Sequence, residues 1–140
     1  GWLLDNLTQM KHSTGEPLVR VFGPTKSADD RGGAVTVNFY DKDGQAFDHR
    51  FVESEANKVN ISLRTGCFCN PGAGEVALGI SRVELDVCFT RPGHKDVMSI
   101  DEFRKCIDGK SSGAVRISVG MVTNFNDVQA LLSFAKGLLS

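Results

Sequence analysis

The chain has 140 residues, a mass of 15.2 kDa and a formal net charge of −1, from 16 Lys and Arg against 17 Asp and Glu. That length holds one domain with one modest hydrophobic core. The charges are evenly spread, with 8 positive and 9 negative groups over residues 1–70 and 8 of each over 71–140, which argues against nucleic acid or an anionic membrane surface as a partner. With 41% hydrophobic and 24% charged residues, and no apolar run near the roughly 18 residues of a membrane span, neither disorder nor membrane spanning describes the whole chain.

Trp2, Leu3, Leu7 and Met10 recur at helical spacing, predicting an amphipathic helix over residues 2–11 that stops at the His12 to Pro17 segment. Because Gly1 precedes it with no initiator Met, basic segment or cleavage pattern, no signal peptide is expected and the chain reads as a piece of something longer. Leu18 to Phe22 and Ala34 to Tyr40 predict strands, the second alternating Val35, Val37 and Phe39 before an Asp43-Gly44 turn. The hairpin partner is expected at residues 46–50, a helix over 51–60, and a short strand at 61–63. Arg64 to Gly74, with three glycines and a proline, is a loop by composition. Two capping boxes, Ser81/Glu84 and Ser99/Glu102, open helices on either side of a turn at residues 91–95. Gly113 to Gly120 alternates Val115, Ile117 and Val119 as a strand, and Asn126 is expected to cap a last helix bearing Val128, Leu131, Leu132 and Ala135. This order predicts an α+β domain, mainly an antiparallel sheet packed against helices.

Four cysteines, at 67, 69, 88 and 106, are too few for a disulfide scaffold. Cys67 and Cys69 share the Gly-rich loop, where they are either small buried side chains or reactive thiols, with Arg64 placed to favour a thiolate. No zinc-ligand spacing joins them to Cys88, Cys106 or the three histidines, so no metal is expected. Cys88 and Cys106 lie in predicted helices and are expected to pack as apolar side chains. His94-Lys95, beside Pro92-Gly93, is expected to be a solvated pair. Arg116 interrupts the apolar alternation of its strand: it either faces solvent or clamps an anion with its planar guanidinium.

The run Ile61 to Ala73 (ISLRTGCFCNPGA) resembles the cysteine loop of the class V aminotransferase group of pyridoxal-phosphate enzymes, and within it the molybdenum cofactor sulfurases and cysteine desulfurases. The similarity extends upstream through Lys11 to Pro24 and Ala34 to Tyr40. It resumes downstream at Gly113 to Gly120 and Thr123 to Val128, leaving about residues 76–112 uncovered. It implies that Cys69 is the sulfur-accepting catalytic cysteine, Cys67 and Arg64 auxiliary neighbours, and Arg116 the ligand of the substrate carboxylate. It further implies that L-cysteine is the substrate, a Cys69 persulfide the product, and the molybdenum cofactor a possible acceptor. Pyridoxal phosphate would be bound outside residues 1–140, which form one C-terminal small domain of a fold-type I enzyme whose large domain is absent. The resemblance also implies a cytoplasmic homodimer in full length and an inactive isolated fragment. Where the sulfurases commonly carry a further cysteine, this chain has Gly74. His94-Lys95 follows the loop and is not taken as the cofactor lysine. The rival readings are a non-catalytic sulfur carrier or interaction module, and a selenocysteine lyase or aminotransferase relative.

Overall fold

A computed structural model describes residues 1–26, 32–68, 70–90, 98–107 and 110–140. Ten elements follow in order: α1 (Trp2–Gln9), β1 (Val19–Phe22), β2 (Ala34–Phe39), α2 (His49–Lys58), β3 (Arg64–Gly66), α3 (Pro71–Leu78), α4 (Arg82–Thr90), α5 (Ile100–Cys106), β4 (Ala114–Ser118) and α6 (Phe125–Lys136). The four strands form one sheet in the order β1-β2-β4-β3, with every neighbour antiparallel. The α+β class expected from the sequence is the one observed.

Because side chains alternate along a strand, the register sorts the sheet into two faces. Val19 pairs with Phe39, Val21 with Val37, Val35 with Ile117 and Val37 with Val115, and these residues form one face. They pack with Leu4 and Leu7 of α1, Val52 of α2, and Leu131, Leu132 and Ala135 of α6 into a single buried cluster. The opposite face is set by Arg20 opposite Asn38, Phe22 opposite Thr36, Thr36 opposite Arg116, and Arg64 opposite Arg116. One face closes the core with helices, and the other carries polar and cationic side chains.

A second group of helices is fastened beside this sandwich. Cys88 of α4 and Cys106 of α5 form a disulfide, so the structural role expected for them is met by a covalent bridge rather than by packing of two free thiols. The Phe89 and Phe103 rings stack across the same pair of helices with centroids 6.0 Å apart. Asp48 then links the groups: it caps α2 by accepting from the Arg50 amide, and its carboxylate pairs with Arg104 of α5 and with Arg50. Arg50 reaches on to Asp101 at 2.6 Å. The arginine pairing holds the Asp48 carboxyl well below the usual range, at about 2.

Several boundaries differ from the sequence expectation, each for a local reason. Residues 46–50 do not form a hairpin strand; pairing stops at a single Tyr40–Ala46 bridge because Asp48 starts α2. The predicted strand at 61–63 moves to Arg64–Gly66, within the segment expected to be loop. The latter part of that segment is α3, started by the Asn70 side chain accepting from the Ala73 amide with Pro71 as its first helical residue. Asn124, not Asn126, caps α6, and it does so in a capping box with Asp127. Both capping boxes expected from the sequence are present: Ser81 with Glu84, and Ser99 with Glu102. No helix among the described residues is long and apolar enough to cross a membrane.

Candidate functional site

Arg116 points from β4 onto the open face because its neighbours Val115 and Ile117 are buried on the other one. Its cross-strand neighbours are Thr36 on one side and Arg64 on the other, so Phe22, Thr36, Arg116 and Arg64 form a row across all four strands. The expectation of Arg64 as a loop residue is corrected, since it opens β3 and is held by the ladder. Arg64 and Arg116 are both exposed, and neither guanidinium has a hydrogen bond or ion pair among the described residues. Directly opposed like charges destabilise an antiparallel pair. An anion bound between them removes that cost.

Two glycines let β3 approach β4. A Cβ on Gly113 would lie 2.6 Å from the Gly66 carbonyl oxygen and 2.9 Å from His49 Cε1. Gly66 itself has φ of 136°, a conformation that side chains resist. On the core side of β3, the Thr65 hydroxyl donates to Glu53 of α2 at 2.6 Å, fixing the strand to its helix. Burial lowers the proton affinity of nearby His49, with the Asp48 carboxylate acting against that shift.

Beyond Gly66 the chain passes through the cysteine segment into α3. Cys67 is exposed and is a free thiol. Phe68 sets its ring edge-on to Phe22, with centroids 6.0 Å apart, so the far end of the arginine row is capped by an aromatic pair. Gly74 accommodates this ring, since a Cβ there would sit 3.1 Å from the Phe68 Cβ. Thr36, Arg64, Gly66, Cys67, Phe68 and Arg116 line an open pocket of about 470 Å³. The structure thus brings together Arg116, Arg64 and Cys67. Cys69 and the His94-Lys95 pair lie outside the described residues.

The pocket can bind a small anion on two guanidiniums with a thiol nearby. Its donor set suits a carboxylate. It does not suit covalent capture of pyridoxal phosphate through its aldehyde, because no lysine lines it among the described residues. The row of Thr36, Arg116 and Arg64 could have been found in the sequence only by knowing the strand register.

No family model matches the chain. Curated relatives do. The chain is 35% identical over 137 residues, 96% of its length, to a molybdenum cofactor sulfurase of Drosophila melanogaster. It is 35% identical over 135 residues to one of Solanum lycopersicum, again covering 96% of the chain. It is 36% identical over 130 residues, 91% of the chain, to one of Homo sapiens. The matched segments are 17%, 16% and 14% of those proteins, so the chain spans about a sixth of the relatives' length.

Proposed function

We propose that this chain, a relative of the molybdenum cofactor sulfurases over nearly its whole length, is the C-terminal small domain of a sulfurtransferase that takes sulfur from L-cysteine onto Cys69. The observation that carries the proposal is the Arg64–Arg116 couple, unpaired among the described residues, in one pocket with Cys67, two positions before Cys69. The extent of the relatives beyond the matched segment supports placing the cofactor-binding domain outside these residues. Pyridoxal phosphate, held there, supplies the electron sink that activates the substrate's carbon framework.

The residues of this chain would act as follows. Arg116, rigid on a central strand, takes the carboxylate of L-cysteine through two parallel hydrogen bonds. Arg64 adds a second positive charge beside it. The Cys69 thiolate attacks the substrate sulfur; the substrate's carbon–sulfur bond breaks as the new sulfur–sulfur bond forms. L-cysteine and the Cys69 thiol become alanine and a Cys69 persulfide, with no net oxidation. The terminal sulfur then passes to an acceptor, for which the relatives' name suggests the molybdenum cofactor. Cys67 is an exposed neighbour of that thiol in sequence, open to exchange with it.

The test is mass spectrometry of the peptide carrying residues 67–69 after the full-length protein, loaded with pyridoxal phosphate, meets L-cysteine. One added sulfur atom is expected in the native protein and in Cys67→Ala, and none in Cys69→Ala. Sulfur retained in Cys69→Ala refutes the assignment. The exposed free thiol of Cys67 favours a second reading, a sulfur carrier loaded by another enzyme. On that reading the chain alone accepts sulfur from a separate desulfurase. The proposal also includes the full-length homodimer and a cytoplasmic setting, where cellular thiols keep most cysteine pairs reduced. Alkylating freshly lysed cells counts how much of the Cys88–Cys106 bridge survives there.

A further inference from the structure

A second polar depression lies on the same open face, two residues along β2 from Thr36 and so about 7 Å away at a strand's rise. Its floor is Asn38, which is 2% exposed and opposite Arg20 in the β1–β2 ladder. Asn38 Nδ2 is buried and has no hydrogen-bond partner among the described residues. An unsatisfied buried donor costs about 1–3 kcal/mol, so such groups are normally occupied.

Arg20 supplies the uncompensated positive charge of the wall. Arg20 lies over the Phe22 ring, 5.9 Å from its centroid, and has no ion pair among the described residues. Lys110 enters from the other side, tied at 2.6 Å to Glu84 and at 2.7 Å to the Gly79 carbonyl. Ser111 turns its hydroxyl onto the Gly113 carbonyl at 2.6 Å, so it does not satisfy Asn38. Tyr40 and Gln45 complete a pocket of about 260 Å³, large enough for a tetrahedral oxyanion with a small substituent.

We propose that this pocket is a second oxyanion site, in which a phosphate group accepts from the Arg20 guanidinium and from the Asn38 amide, whose buried Nδ2 is brought to the pocket by a turn of its side chain. It is separate from the Arg64–Arg116 couple and does not depend on the sulfur-transfer reading. The phosphate is either the free ion or the anionic end of a larger ligand, because the pocket is open to solvent on one side.

The test titrates isotope-labelled protein with inorganic phosphate while following the Asn38 side-chain amide by NMR. A saturable shift is expected. In Arg20→Gln, an exposed position that leaves the core untouched, the affinity should fall about tenfold, as expected for losing one charged hydrogen bond. In Arg116→Ala it should stay unchanged. A phosphate monoester binding more tightly than inorganic phosphate assigns the site to a larger ligand's end group; equal or weaker binding assigns it to the free ion. No saturable shift, or equal affinity in native and Arg20→Gln protein, overturns the proposal. Equal loss in Arg116→Ala also overturns it, by assigning the shift to the first pocket.

Discussion

Replacing Arg116 by Gln should make the ligand-free protein more stable. Arg116 and Arg64 are directly opposite on β4 and β3, and neither has a counter-ion among the described residues. Cross-strand Cβ atoms lie about 5 Å apart, and two extended side chains running side by side from there would hold their guanidiniums roughly 7 Å from one another. At that distance and an effective dielectric constant of about 60, the repulsion is about 0.8 kcal/mol. For a domain of this size the gain corresponds to a rise in Tm of about 2–4 °C. Thermal unfolding followed by circular dichroism at low salt measures it. Three results are expected together. Arg64→Gln gives a similar gain, the double variant gives no more than either single one, and the difference from native protein shrinks in 1 M salt, where the screening length falls to about 3 Å. A loss of more than about 1 kcal/mol in Arg116→Gln, equal at both salt concentrations, would refute the reasoning and make Arg116 a structural residue.

Asp48→Asn keeps an N-cap side chain for α2 but removes the charge that Arg50 and Arg104 share. It should cost about 1 kcal/mol at neutral pH, discounted because Arg50 is half exposed. The Asp48 carboxyl is lowered from 3.8 to about 2 in the folded protein, so its contribution is complete above pH 3.8 and is lost as pH falls toward 2. The variant's stability curve should therefore converge on that of native protein across this interval; parallel curves would show that Asp48 acts only as a cap. His49 titrates in the opposite region. Its lowered proton affinity means the unfolded chain takes up the proton first, so stability should begin to fall as pH drops below 6.5. His49→Gln, followed by denaturant unfolding, should flatten that slope, and an unchanged slope would assign it to other groups. Gly113→Ala forces a Cβ to within 2.6 Å of the Gly66 carbonyl oxygen and should cost about 1–3 kcal/mol. Faster amide exchange should be confined to β3 and the start of β4; exchange matching native protein there would refute the close-approach argument.

Elements whose signal lies within a few residues were legible in the sequence. The alternation of Val115 and Ile117 around Arg116 gave the strand and its open face, and both Ser-x-x-Glu capping boxes formed as expected. What escaped depends on distant partners or on competing local chemistry. Ile61 to Leu63 has the composition of a strand, yet pairing begins at Arg64, where the small Gly66 and Gly113 let two backbones meet. The Gly- and Pro-rich segment after it hides α3, because Asn70 and Pro71 serve as helix starters there rather than as turn residues. The Cys88–Cys106 bridge joins separate helices 18 residues apart, and nothing local in either helix names the other as partner. The site was half visible: Arg116 and Arg64 stood out singly, but their apposition is a matter of register.

That register has a consequence for how the protein can change. Along β4, Val115 and Ile117 serve the fold while Arg116 faces outward, and β2 repeats the division with Val35 and Val37 against Thr36 and Asn38. Substitutions at positions 20, 36, 64 and 116 can therefore explore new ligands at little cost to the core. A single-residue deletion between Gly113 and Arg116 acts quite differently. It would turn the guanidinium inward and its apolar neighbours outward in one step, so recognition and folding are independent under substitution but inseparable under any shift of frame along the strand.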